Sequence, residues 1–505
     1  MAESGRVMRR QEGKASTGID GLNNILGGGL PIGHLYLLEG EPGSGKTTLA
    51  IQFLLEGAAL GEKVLYITLS ETADELRYAA ESHGWDLSSV ELMELDTFLA
   101  SQKPESQYTV FSASEVELGD TLRMIREAVE RVKPTRVVLD SLSEMRLLSR
   151  DSLRFRREIL GFKQFFAASG ATVLFLDDRT TDPEDRQLHS IAHGIILLER
   201  LSTEFGSERR RLIVSKLRAN LFRGGFHDYR IVTGGLVVYP RLSAAEHRQG
   251  KLPGSLLSGV GNLDDLLGGG LDRGTSTMIM GPVGSGKSTI VAMYALAAAE
   301  QGERAAIYLF DENEGTLLTR CRALDMPLDQ YLETGAVTLQ QIDPAEMSPG
   351  ELVQLIRDGV EKQGIQHVII DSVSGFINAM PEERLLTVQL HELLTYLGQK
   401  GVVTLLAMPQ HGMMGVNMAS QADLSYLADS VILLRYFEAF GAVRQAISVV
   451  KRRTGKHERT IREMQIGSGG VIVGNILQEF QGVLTGVPRY VGNQGPLLGA
   501  DLDES

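Results

Sequence analysis

The sequence predicts an α/β protein made of two tandem domains, each a mostly parallel sheet flanked by helices. Three observations carry this. At 505 residues the chain exceeds the roughly 250 to 300 residues beyond which single cores stop growing. A long internal repeat divides it in half. Within each half, apolar runs of strand length alternate with amphipathic segments of helix length, and near-continuous apolar runs suit strands buried on both faces of a parallel sheet.

The repeat starts with TGIDGLNNILGGGL at Thr17–Leu30 and SGVGNLDDLLGGGL at Ser258–Leu271. The same offset holds without a gap through GEPGSGKTT from Gly40 and GPVGSGKST from Gly281, and on to Ser70–Glu71 against Asp311–Glu312. Later landmarks pair with a drifting offset, as loops of unequal length require: VVLDS ending at Ser141 with VIIDS ending at Ser372, and VSKLR from Val214 with VVKRR from Val449. HLYLLEG, KVLYITL, TRVVLDS and ATVLFLD are the strands expected in the first copy, and TMIMG, AAIYLFD, HVIIDS and VVTLLAM are their counterparts. The stretch Tyr239–Gly254 is polar, holds two prolines and has no apolar period, which reads as a linker. The expected organisation is a flexible N-terminus over 1–16, a first domain over 17–240, a linker over 241–254, a second domain over 255–477, and a C-terminal loop and tail over 478–505.

Bulk properties narrow the function classes. With 43% hydrophobic and 23% charged residues the composition is that of an ordinary globular protein. A formal charge of −14 argues against a chain whose main task is to hold a nucleic-acid backbone, which takes clustered Lys and Arg. Cys321, the only cysteine, excludes an intrachain disulfide and a zinc site of the paired CxxC type, and suits a cytoplasmic, reducing home. The charged opening segment is followed by no apolar stretch, and no run of about 18 apolar residues occurs, so neither secretion nor membrane insertion is expected.

Each copy carries GxxxxGK[ST] between an apolar strand and a helix-like run, the context this phosphate-binding loop requires. Gly40, Gly43, Ser44, Gly45, Lys46, Thr47 and Thr48 are expected to cradle ATP in the first copy, and Gly281, Gly284, Ser285, Gly286, Lys287, Ser288 and Thr289 in the second. Glycines let backbone N–H groups close around phosphate oxygens, and the lysine reaches the outer phosphates. Thr47 with Asp140, and Ser288 with Asp371, are expected to hold Mg2+, because each aspartate ends the next central strand. Attack on the γ-phosphate also needs an acidic group to orient water or a hydroxyl. Glu71 and the pair Asp311 and Glu312 end the strand after the loop helix and are the candidates.

The run GGGLPIGHLYLLEGEPGSGKTTLAIQFL, the acidic residues after the second strand, the DS after the fourth, the SKLR near the domain end and the stretch Ala422–Ile466, all within a duplication, resemble the KaiC family of RecA-like ATPases and autokinases over nearly the whole chain. The resemblance implies two RecA-like P-loop domains in a homo-hexameric double ring, with ATP between adjacent subunits in both tiers. It implies hydrolysis in the first tier, and serine/threonine autokinase activity beside hydrolysis in the second. Lys216 and Arg218, and Lys451 and Arg453, would reach the neighbour's nucleotide as arginine fingers do. A KaiB-like partner and a role in timekeeping or stress signalling follow by analogy, and the acidic tail from Gln478 resembles the family's regulatory C-terminal loop and tail.

Three departures from the family pattern stand out. Ser70 replaces the first of two glutamates, leaving Glu71 to serve alone, and Asp311 shortens the first carboxylate of the second pair. Where the family's phosphorylation site has neighbouring Ser and Thr, this chain has Ser425 followed by Tyr426, whose hydroxyl lies too far from the backbone for a threonine's pocket. Ser420 matches another hydroxyl position of the family. Rival readings are a RecA-type recombinase or hexameric helicase, which the negative charge and the two intact sites in one chain disfavour, and a non-catalytic scaffold assembled by ATP, which the two full sets of site residues make less economical.

Overall fold

The computed structural model describes residues 13–95, 113–149, 152–178, 186–202, 206–244, 253–378, 386–410, 424–484 and 488–492. The chain divides into two compact units, Met1–Arg241 and Leu242–Ser505. In the first unit, strands β1 (Leu35–Gly40), β2 (Val64–Thr68), β3 (Glu91–Glu94), β4 (Arg136–Asp140), β5 (Thr172–Asp178), β6 (Gly194–Leu201), β7 (Arg209–Leu217), β8 (His227–Val232) and β9 (Gly235–Tyr239) form one sheet in the order β3-β2-β4-β5-β1-β6-β7-β8-β9. The second unit contains β10 (Ser276–Gly281), β11 (Ala305–Leu309), β12 (Val337–Gln341), β13 (His367–Asp371), β14 (Val403–Pro409), β15 (Ser430–Ala439), β16 (Ala442–Arg452), β17 (Ile461–Gly467) and β18 (Gly470–Ile476). Their order, β12-β11-β13-β14-β10-β15-β16-β17-β18, is the same topology. In both sheets the first six strands in spatial order are parallel and the last three are added antiparallel. Two tandem RecA-like α/β domains are therefore what the sequence folds into.

The central strands are buried at every residue, β2 and β4 in the first sheet and β11 and β13 in the second. Alternation along the strand feeds two cores: Tyr36 and Leu38 of β1 face one, Leu35 and Leu37 the other. The helix Lys46–Ala59 buries Leu49, Ala50, Ile51, Phe53 and Leu54 on the sheet. Its counterpart Lys287–Glu300 is buried almost all round, as a helix without a polar face must be. Caps fix how the chain leaves β2 and β11. A capping box of Thr72 and Glu75 starts the helix Ala73–Ser82 immediately after Glu71, and the Asn313 side chain caps Glu314–Ala323 immediately after Glu312. No helix among the described residues is long and apolar enough to cross a membrane. Leu242 and Ala244, within the stretch read as a linker, pack into a core of the second unit.

At two positions the duplicated frame is held by different chemistry. A Cβ on Gly21 would lie 1.9 Å from the carbonyl oxygen of Val238 in β9, so the first helical turn rests directly on strand backbone. In the second unit the same position is Asn262, whose Nδ2 donates to the carbonyl of Val473 in β18 at 2.7 Å. At the start of β4, Arg136 is 1% exposed; it donates to Glu62 at 2.7 Å and to the carbonyls of Ser16 and Phe53, and stacks on the Phe53 ring. His367 starts β13 instead and bonds Glu303, which also takes Arg273.

Candidate nucleotide sites

Each loop follows the strand at the centre of its sheet. Gly45 and Gly286 start the loop helices at φ +96° and +95°, left-handed values that favour glycine. Gly40 and Gly281 are required by close approach instead, since a Cβ there would come within 2.4 and 2.8 Å of the hydroxyls of Ser44 and Ser285. Those two hydroxyls are buried without a hydrogen-bond partner. The lysines fold back over the loops: Lys46 Nζ donates to the carbonyl of Gly40 at 2.8 Å, and Lys287 Nζ to those of Gly281 and Pro282 at 3.0 and 2.7 Å.

The two lysines then differ. Lys46 also pairs with Asp178 at 2.8 Å, because β5 runs beside β1 with Asp178 opposite Gly40. Pro409 holds the equivalent place opposite Gly281, and among the described residues no carboxylate bonds Lys287. Burial lowers the Lys287 ammonium to about 8, with Asp371 and Asp311 acting the other way. In the first site a triphosphate must take Lys46 from a carboxylate that then stays beside it. Asp178→Asn is therefore expected to tighten ATP at the first site by about two- to fivefold, the scale of one partly exposed ion pair. A fluorescent ATP analogue titrated in a Lys287→Ala background measures it, and unchanged or weaker binding would sink the idea.

Each site also sets a loop hydroxyl near the aspartate that ends a central strand. Thr47 Oγ1 lies 3.4 Å from Asp140 Oδ2, which also accepts from the Tyr66 hydroxyl at 2.6 Å. Asp371 is held by Ser288, and its Oδ2 is buried with no partner. Burial raises both carboxyls above the usual range. The peptide bonds Asp140–Ser141 and Asp371–Ser372 are both cis. A hydroxyl beside a buried carboxylate with a free lone pair fits Mg2+, a hard cation that takes one or two protein oxygens and the rest from phosphate and water. Thr47 with Asp140, and Ser288 with Asp371, would hold it, and there it would neutralise charge on the outer phosphates.

The acidic candidates are not equivalent. Glu71 is held at its backbone by Thr68, and its carboxyl is raised by burial, then by Asp140 and Glu75, which makes it a better base. Glu312 is clamped by Arg320 through two bonds of 2.7 and 2.9 Å. Asp311 accepts from the Ser372 hydroxyl, which also contacts Ser374 at 2.7 Å, and lies over Gly375. Sequence reasoning missed both Arg320 and Asp178, whose contacts arise from neighbouring elements.

The candidate finger residues stand toward the end of each sheet away from their own loop. Lys216 pairs with Ile195, level with Leu37, whereas Gly40 is level with Leu198, about 10 Å further along the strands. Lys451 pairs with Val431, level with Met278, again about 10 Å short of Gly281. Lys216 and Arg218 bond the carbonyls of His189 and Ser190. Lys451 bonds the carbonyls of Ser425 and Ala428 at 2.8 and 2.7 Å, and Arg453 that of Tyr426 at 2.7 Å. Ser425 thus shares a turn with the second finger pair. Ser420 lies outside the described residues.

Duplicated sheets of this topology, each with a glycine loop, a lysine and a strand-end aspartate, define a tandem RecA-like P-loop protein of the nucleotide-binding class. The profile of the KaiC ATPase family matches residues 15–243 and 256–478, and the chain belongs to that family. It is 27% identical to the circadian clock protein KaiC3 of Synechocystis sp., over 94% of this chain and 95% of that protein. It is 26% identical to the circadian clock oscillator protein KaiC of Synechococcus elongatus and 25% identical to that of Acaryochloris marina, each over 95% of this chain and 92% of the relative.

Proposed function

We propose that the chain is a Mg2+-ATP-dependent ATPase that assembles into a homo-hexameric double ring with nucleotide at the subunit seams, and that its second domain phosphorylates Ser425 of a neighbouring copy. One observation carries this reading: Lys216, Arg218, Lys451, Arg453 and Ser425 all stand at the end of the sheet remote from their own loops. They are useful to a nucleotide only if another copy brings it. In the first domain Glu71 orients a water for attack. In the second, the Ser425 oxygen attacks the γ-phosphorus, the bond to the β–γ bridging oxygen breaks, ADP leaves, and the serine proton passes to Asp311, since Arg320 occupies Glu312. Lys451 and Arg453 stabilise the charge that develops. The clock names of the relatives support a signalling output read by a KaiB-like partner.

The test incubates the protein with γ-labelled Mg-ATP and follows released and protein-bound phosphate together with particle mass. Label that accumulates on the wild type, and is lost with Ser425→Ala or Lys287→Ala, supports the kinase. Released phosphate with none retained reduces the proposal to an ATPase.

A further inference from the structure

Beside its finger pair the first domain carries two histidines and a lysine that have no counterpart of the same kind among the described residues of the second. His34 and His193 stack face to face, with ring centroids 3.8 Å apart and 5° between planes, and Tyr36 meets His193 edge-on. Lys163, from the helix Ser152–Ser169, acts on both imidazoles and on Lys216, and Arg218 acts on His193 and Lys216. Among the described residues, Lys163 and Arg218 are the permanent charges that act on the two imidazoles, and both are cations. On the neighbouring helix Arg186–Ile191, His189 is turned to its own acid, Glu39, at 2.6 Å. His193 Nε2 is buried without a hydrogen-bond partner, and His34 is exposed. In the second domain the equivalent residues are Thr275, Leu394 and Asp429, and Asp429 bonds the backbone of Ser276 and pairs with Arg453 at 3.6 Å. Lys163 in place of Leu394 adds a positive charge to the first edge, His193 in place of Asp429 removes a negative one, and His34 in place of Thr275 adds a group that becomes a cation only when protonated.

We propose that the stacked pair His34 and His193, together with Lys163, Lys216 and Arg218, forms an anion site whose ligand is the triphosphate held by the loop of a second copy, and that protons taken up by the imidazoles strengthen this seam in the first domain alone. This rests on the seam reading above. The cluster lies at the sheet end opposite its own loop, so its anion comes from another molecule. Burial, Lys163 and Arg218 push the free imidazoles below their ordinary value, so near neutral pH the pair stacks uncharged. An arriving phosphate reverses that field, offers His193 Nε2 an acceptor and makes protonation favourable. The contact therefore tightens as pH falls through the imidazole range, by roughly tenfold for one proton taken up.

The experiment follows particle mass against Mg-ATP concentration from pH 8 to pH 6, with the full chain in a Lys287→Ala background so that only the first loop holds nucleotide. The wild-type edge is expected to reach half-assembly at about tenfold less ATP at pH 6 than at pH 8. His34→Asn with His193→Asn, which sees the same titration of ATP itself, is expected to assemble at pH 8 and to lose the excess. His34→Asn alone, at an exposed position, keeps the test open if the double variant misfolds, and is expected to lose part of it. Lys163→Gln should move the profile to higher pH, a shift that a merely structural lysine would not produce. Assembly with the same pH dependence in the wild type and the asparagine variants overturns this proposal alone. No ATP-driven assembly at any pH overturns the seam reading and this proposal with it.

Discussion

Lys46→Ala is expected to remove ATP from the first site and to cut hydrolysis there at least about 100-fold, and the loss should exceed that from Lys287→Ala at the second. Removing one preorganised charge from a phosphoryl-transfer site costs on the order of 100- to 1,000-fold. The first site adds a second effect. Without Lys46 the Asp178 carboxylate, which faces the loop opposite Gly40, is left unpaired where the phosphates arrive. Two like charges about 4 Å apart repel by roughly 1 to 4 kcal/mol between the dielectric of water and that near a protein surface. Among the described residues no carboxylate bonds Lys287, and Asp371 and Asp311 act on it only through their field, so its removal leaves no anion that had been in direct contact with it. Nucleotide stoichiometry and single-site turnover of the two variants check the order. Equal losses would mean that Asp178 leaves the site when nucleotide enters, and Lys46→Ala with Asp178→Asn should recover part of the binding if it does not.

Gly21→Ala should be the most damaging small substitution in the first unit. Its Cβ would sit 1.9 Å from the Val238 carbonyl oxygen, a contact with backbone that no rotamer relieves. The helical turn must lift from β9 or the strand must shift, at a cost of about 3 kcal/mol or more. For a unit of this size that lowers the melting midpoint by roughly 6 to 12 °C. Asn262→Ala, at the matching place, loses one hydrogen bond and should cost about 1 kcal/mol. The chain contains its own reporter: Trp85, the only tryptophan, lies in the first unit against Gly235 and His83. Tryptophan fluorescence therefore follows the first unit's unfolding, and an unshifted midpoint for Gly21→Ala would refute the contact.

What was legible in the sequence and what was not divides along a physical line. The glycine loops, Lys46, Lys287, Asp140 and Asp371 were readable because each belongs to a short segment whose chemistry is local: a strand, a turn, a helix start. The α/β class with two mostly parallel sheets followed from apolar runs and the repeat, whereas the strand order and the three antiparallel strands came from the structure. The Asp178 contact with Lys46 needs the knowledge that β5 lies beside β1, and the Arg320 clamp on Glu312 needs the fold of the chain between them. The stack of His34 on His193 joins residues far apart in the chain. A signal for these existed in the repeat itself. Comparing the copies position by position sets Asp178 against Pro409 and His193 against Asp429, and each mismatch marks a place where the two halves differ in charge.

The different fillings of one frame also bear on inheritance. Suppose a tract of one coding half were copied over the other. Where Arg136, Glu62 and the carbonyl of Phe53 interlock in the first half, and His367, Glu303 and Arg273 in the second, a short copied tract would deliver one member without its companions. Copying the second half's asparagine onto Gly21 would drive a side chain into strand backbone, whereas the reverse transfer leaves only an unused carbonyl. Such barriers oppose homogenisation and let the two halves keep different interiors within one gene.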